Sequence, residues 1–304
     1  MDHRELLQSL TSEQRKALTA RSDRIGLAHL ALHWGSILLL GGLIALRVPF
    51  WQLLLLPQGI LVIFCFTLLH ESIHRTVFKT QWLNDWVARV CGFLIVLPAD
   101  WFRAFHFAHH RFTQDPKNDP ELSEEKPKTI GSYLFVVSGL PVWRSHATTL
   151  LQNARGRCHQ PFVTPAVRGK AIREARVMLA LYALLLVLSL AAGSTFLLYV
   201  WVVPALLGQP FLRLYLMAEH GRCPFVANML ANSRTTYTNW LVRTVAWNMP
   251  YHAEHHAFPA VPFHRLPAFH ELTKVHLQVT ERGYSGFHRK VLADLSGTAD
   301  PATP

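Results

Sequence analysis

The run WQLLLLPQGILVIFCFTLL, Trp51 to Leu69, passes without a break into HESIH, His70 to His74, and this junction decides how the chain folds. The run carries no charge and reads as a helix crossing about 30 Å of hydrocarbon. It delivers His70 to the membrane surface, with His74 four residues on and on the same helix face. Two more clusters follow: His106, His109 and His110 in HFAHH, and His252, His255 and His256 in HAEHH. Their i, i+3, i+4 offsets again share one face. If three helices bring these faces together, the imidazoles suffice for two metal ions and far exceed the needs of one tetrahedral zinc. The isolated His3, His29, His33, His146, His159, His276 and His288 are read as unrelated to metal. His29 and His33 are read as packing or hydrogen-bonding residues of a membrane helix.

Composition agrees with a membrane solvent. Hydrophobic residues make up 50% of the chain and charged residues only 16%, against about 25% charged in soluble domains. The net charge of +11 does not point to nucleic acid, because no nucleic-acid motif is visible and the basic residues lie beside apolar runs. Cys65, Cys91, Cys158 and Cys223 form no CxxC pair and no disulfide framework, which fits a reducing cytosolic face. The N-terminus, with acids among its bases, does not read as a cleaved signal peptide.

Residues 1–24 are polar and helical, with Thr11 and Gln14 spaced as a capping box. Apolar runs at 25–46, 50–69, 177–192 and 196–217 give four spans. The short links at Arg47-Val48-Pro49 and Gly193-Ser194-Thr195 demand two antiparallel hairpins. Pro204 and Pro210 are expected to kink the fourth span. Val87–Leu97 and Ile130–Leu140 are too short to span and are read as interfacial or re-entrant. Arg144, Arg155, Arg157, Arg168, Lys170, Arg173 and Arg176 accumulate ahead of the third span, whereas the two short links carry only Arg47. The positive-inside rule therefore places both termini and every cluster in the cytoplasm. The expected fold class is all-α integral membrane: four transmembrane helices in two hairpins, with a cytoplasmic helical cap of residues 70–175 and 218–290 carrying the histidine clusters. Residues 1–304 are taken as a single domain.

All-imidazole sites suit zinc, copper, iron or nickel. Two irons with open positions would activate O2. His220, at the cytoplasmic end of the fourth run, stands at the right depth to be a ninth ligand. Asp115 and Asp119, in the two Asp-Pro pairs after His110, are candidates to hold an imidazole N–H. Asn248, four residues before His252, is a candidate for metal-linked water or a helix cap. Glu71 and Glu254 lie inside clusters at offsets that point away from metal.

The three motifs, HxxxH, HxxHH and HxxHH, in this order after membrane hairpins, resemble the membrane fatty acid desaturase and hydroxylase superfamily, in its fatty acid desaturase branch. The segment from Asn248 to Pro259, NMPYHAEHHAFP, and its continuation Val261 to Pro267, VPFHRLP, are especially similar, as is His109 to Thr113 before Asp115-Pro116 and Asp119-Pro120. The resemblance covers roughly residues 30 to 270. It implies two Fe ions held by His70, His74, His106, His109, His110, His220, His252, His255 and His256, which would be the catalytic set. It implies O2 as co-substrate and a separate electron donor of the ferredoxin or cytochrome b5 type. The implied reaction removes two hydrogens from an acyl chain, or hydroxylates it if the carbon radical is recaptured. The substrate would be an acyl chain, with Phe66, Trp101, Phe105 and Trp247 near the clusters as tunnel lining or ordinary core. An alternative is the same catalyst acting on a small amphiphilic metabolite. A third reading, a non-catalytic metal- or haem-binding membrane protein, needs no repeated clusters beyond the span ends.

Overall fold

A computed structural model of the chain describes residues 1–123 and 126–298; positions 124–125 of the expected cap and 299–304 of the expected domain lie outside the described residues. The described chain is mainly helical, with almost no strand. Its only strands among the described residues are Thr235–Tyr237 and Thr280–Arg282, paired in parallel with Thr235 opposite Thr280. Contacts group the chain into two compact units.

The unit formed by residues 22–107 and 139–212 contains most of the apolar helix. Four helices of the chain are long and apolar enough to cross a membrane: Ser12–Ala45, Trp51–Ile73, Pro165–Ala191 and Leu198–His220. Leu38, Leu39, Leu186 and Leu190 are 75%, 64%, 60% and 72% exposed. Continuous apolar faces of that kind associate in water, and lipid is the solvent that leaves them dispersed. The second span is broken once, between Leu55–Ile63 and Cys65–Ile73, and His33 Nε2 bonds the Leu61 carbonyl at 2.9 Å. At the expected Pro204 kink the backbone opens into a π turn, Leu198–Val202. Proline removes the bond to the carbonyl four residues back, here Val200, and the Gln58 side chain donates to that oxygen at 3.0 Å. Gly59 and Gly208 let the second and fourth spans touch: a Cβ on Gly59 would lie 2.0 Å from the Pro204 oxygen, and one on Gly208 2.2 Å from the Gly59 oxygen. The third span begins at Pro165, twelve residues before the apolar run, because its basic turns are helical too. Helices Gln81–Leu94 and Ala99–Phe112 meet at 101°, a broken or re-entrant pair.

The other unit comprises 1–21, 108–138 and the described part of 213–304. The capping box read at Thr11 and Gln14 is present, and Asp2 with Glu5 forms a second one. Helix Ile130–Val137 is tied to Tyr284–Ser296 by Tyr133, whose hydroxyl donates to His288 Nδ1 at 2.9 Å, while His288 Nε2 donates to the Leu214 carbonyl at 2.8 Å.

Candidate metal centre

The helix Ala99–Phe112 carries His106, His109 and His110, so the local rule of side-chain spacing already fixes them on one stripe. His220 ends Val203–His220, and His252, His255 and His256 fill the short helix His252–Ala257.

In the unit that holds both, His109, His220 and His256 bring one ligand nitrogen each within 4.8 Å of one another. His109 Nε2 and His220 Nε2 are 3.1 Å apart, and His252 Nε2 lies 2.9 Å from His220 Nε2. The outer nitrogens explain this orientation. His109 Nδ1 lies 2.9 Å from Asp119 Oδ1, His220 Nδ1 3.1 Å from the Asn232 carbonyl, His252 Nδ1 3.3 Å from Glu219 Oε1, and His256 Nδ1 3.2 Å from Thr113 Oγ1. Thr113 gives its own proton to the His109 carbonyl at 2.7 Å, so His256 Nδ1 is the donor in that pair. For His109, His220 and His256, Nδ1 thus faces an acceptor outside the cluster, which leaves Nε2 to point its lone pair inward. His256 Nε2 is buried and has no hydrogen-bond partner among the described residues. Lone pairs facing each other at 3 Å repel unless a cation sits between them. Metal–imidazole bonds of about 2.1 Å put adjacent ligands about 3 Å apart, so the residues present fit a metal ion. Burial drives the His256 pKa well below its ordinary value, reinforced by the neighbouring imidazoles, first His110. The ring is therefore neutral, as a ligand must be.

In the same unit, His110 Nε2 and His255 Nε2 are 3.2 Å apart. In the other unit, His70, His74 and His106 form a further group, their ligand atoms also within 4.8 Å of one another. His74 Nε2 and His106 Nε2 are 3.0 Å apart, and the His70 and His106 ring centres 4.2 Å. Burial, with a smaller push from Arg103, lowers the His74 pKa to about 3.

Asp119 also accepts from the Gln114 and Glu121 amides, at 2.8 and 3.0 Å. Burial opposes its ionised form, yet its pKa lies below the usual carboxylate value, held down chiefly by the hydrogen bond from His109. Asp115 instead closes its own turn, accepting from the Lys117 amide and the Asn118 side chain, and meets no imidazole. Asn248 donates to the Phe263 carbonyl at 3.1 Å, fifteen residues further on. Glu254 does turn away from the histidines beside it, into a buried pocket of donors. Thr235 Oγ1 and His270 Nδ1 reach its two oxygens, each at 2.5 Å, and Thr273 Oγ1 lies at 3.3 Å. Sequence reasoning missed His270, Thr113, Asn232 and Glu219. Only Glu219, adjacent to His220, offered a local signal. Phe66, Phe102, Phe105 and Trp101 form a ladder of rings 5.4 to 6.3 Å apart, with Phe102 stacked on His106 at 5.5 Å. Trp247 is fully buried against Phe263.

Clusters of buried imidazoles on a chain with four helices of spanning length define a class: an all-α membrane protein equipped to hold metal through histidine. The fatty acid desaturase family matches residues 45–285, and the chain belongs to that family. It is 28% identical over 209 residues to the sphingolipid delta(4)-desaturase/C4-monooxygenase DES2 of Mus musculus, covering 66% of this chain and 58% of that protein. It is 22% identical over 236 residues to the sn-1 acyl-lipid omega-3 desaturase (ferredoxin) of Nostoc sp. (strain 36), covering 71% of this chain and 65% of the relative. It is 23% identical over 239 residues to the omega-3 fatty acid desaturase, endoplasmic reticulum, of Vigna radiata var. radiata, covering 71% and 63%. The aligned region thus spans less than two thirds of each relative.

Proposed function

We propose that this protein is an O2-dependent, di-iron membrane desaturase that introduces a C=C bond into an acyl chain. The observation that supports it best is the inward convergence of Nε2 atoms whose rings are held from behind through Nδ1. On this reading His70, His74, His106, His109, His110, His220, His252, His255 and His256 hold two iron ions. Bound iron would supply the oxidising power for an unactivated C–H bond. The chain's own residues hold the imidazoles fixed: Asp119, Asn232 and Thr113 engage the outer nitrogens of His109, His220 and His256.

The balance is –CH2–CH2– plus O2, two electrons and two protons, giving –CH=CH– and two waters. The two electrons come from a separate one-electron carrier of the ferredoxin or cytochrome b5 type; a ferredoxin is named for the Nostoc relative. A second reading, hydroxylation, consumes the same O2, electrons and protons and gives an alcohol and one water. The mouse relative's name, desaturase and C4-monooxygenase together, favours keeping it. We further propose that residues 1–304 act as one catalytic domain in the membrane, with both termini and the clusters cytoplasmic.

The test is a paired mass-spectrometric profile of lipids and polar metabolites from a host expressing the protein or its His109→Ala/His110→Ala variant. A product two hydrogens lighter in an acyl chain, absent with the variant, supports the desaturase. A product one oxygen heavier supports the hydroxylase. Unchanged lipids from an iron-loaded wild type, supplied with a working reductase and carrier, reject an acyl substrate.

A further inference from the structure

The helix that carries the second histidine cluster starts at a corner. Gln81–Leu94 and Ala99–Phe112 cross at 101°, and a break of this kind strands the last carbonyls of one helix and the first amides of the next. Here three side chains and a carboxylate from elsewhere in the same unit meet them. The Tyr182 hydroxyl donates to the Phe93 carbonyl at 2.6 Å, Trp201 Nε1 to that of Leu94 at 2.8 Å, and His146 Nδ1 to that of Ile95 at 3.0 Å. On the other side of the corner, the Asp100 amide donates to Glu174 Oε2 at 2.8 Å. Gly92 makes the bend possible, since a Cβ there would lie 2.3 Å from the Leu97 oxygen.

The carboxylate fills a local deficiency. Pro98 stands where the histidine helix should be capped: its carbonyl accepts the Phe102 amide at 2.9 Å, but its ring has no oxygen to offer the free amides. Asp100 turns its own carboxylate towards Arg89, 3.4 Å away. Glu174 therefore supplies the cap from a helix 74 residues further on. Glu174 and Tyr182 lie on one helix, Pro165–Ala191, so a single membrane helix grips both sides of the corner.

We infer that Glu174 is a positioning residue. By capping the helix Ala99–Phe112 in trans, it fixes the axial and rotational setting of that helix, and through it the direction in which His106 presents Nε2 to His74. The inference rests on the proposed metal centre for its consequence, and on the corner alone for its geometry.

The experiment uses full-length protein in lipid nanodiscs, as wild type, Glu174→Leu, Glu174→Gln and Arg89→Ala. Three quantities are read: deuterium exchange of the amides at 99–102, iron per chain, and the visible ligand-field spectrum after loading with Co2+. Glu174→Leu is expected to speed exchange in this first turn about tenfold, to shift the cobalt bands and to bind about half the iron or less. Glu174→Gln keeps a carbonyl acceptor and should restore the bands and most of the iron. Arg89→Ala, at the same corner but off the cap, should match wild type. Faster exchange with an unchanged cobalt spectrum would make Glu174 a simple cap and overturn the positioning role, while leaving the metal centre standing. A wild type that binds neither metal would overturn both. Should Glu174→Leu fail to insert, Tyr182→Phe must shift the cobalt bands by itself, and an unshifted spectrum there refutes the inference.

Discussion

Asp119 illustrates what a single residue does for this site. Its carboxylate receives protons from the imidazole of His109 and from two backbone amides, so both oxygens are committed and the ring cannot turn. Asn in its place keeps the shape but presents an N–H2 where one donor already points. Asp119→Asn is expected to weaken iron binding and turnover about 10- to 100-fold, read as iron retained against a chelator and as product formed. Full iron retention would show that His109 needs no support from behind. His256→Ala and His110→Ala, by contrast, should abolish turnover while membrane insertion persists, because each removes a proposed ligand and neither carries the fold. The histidines were legible in the sequence because i, i+3 and i+4 are local distances on a helix. Their partners were mostly not legible: Asn232 reaches His220 only after the chain has turned back, and Thr113 meets His256 across 143 residues.

Elements show the same division. The helix His252–Ala257 has six residues, too few to stand alone, and Glu254 anchors it through Thr235, His270 and Thr273. His270→Ala strips one donor from a buried carboxylate and should cost about 1–3 kcal/mol, seen as a lower unfolding temperature in detergent; an unchanged midpoint would show that the anchor lies elsewhere. Acid provides a second test. Burial depresses the pKa of His288 below its ordinary 6.5, so the unfolded chain takes up a proton that the folded one refuses. The stabilisation from the Tyr133–His288–Leu214 brace is then full above pH about 6.5 and declines as pH falls from there. The drop in unfolding temperature between pH 7.5 and 5.5 should shrink in His288→Asn, and an undiminished drop would assign the acid sensitivity to other groups. The capping box at Thr11 and the four apolar helices could be read from sequence, since each is a contiguous pattern. The parallel strand pair could not, because three residues carry no measurable alternation. The third helix begins ahead of its apolar run for a physical reason: hydropathy marks where lipid begins, whereas Pro165, at the first helical position, marks where the helix does.

At the scale of the whole molecule the strongest sequence signal was the partition of charge, and it yields a prediction that needs no knowledge of the substrate. Arg144, Arg155, Arg157, Arg168, Lys170, Arg173 and Arg176 crowd one stretch with Glu174 as the only acid among them, and all but Arg168 are exposed. The two short links carry Arg47 alone. Moving seven cations across a bilayer is opposed by the insertion machinery and by the membrane potential, whereas one exposed Arg47 is tolerated. The four native cysteines are all buried, so an introduced thiol can be labelled against a quiet background. In intact cells a membrane-impermeant maleimide is expected to label Arg47→Cys and to leave Arg4→Cys and Arg155→Cys untouched until the membrane is opened. Labelling of Arg155→Cys from outside would invert the topology. It would place the basic stretch on the outer side, away from the cytoplasmic carrier proposed to supply the electrons.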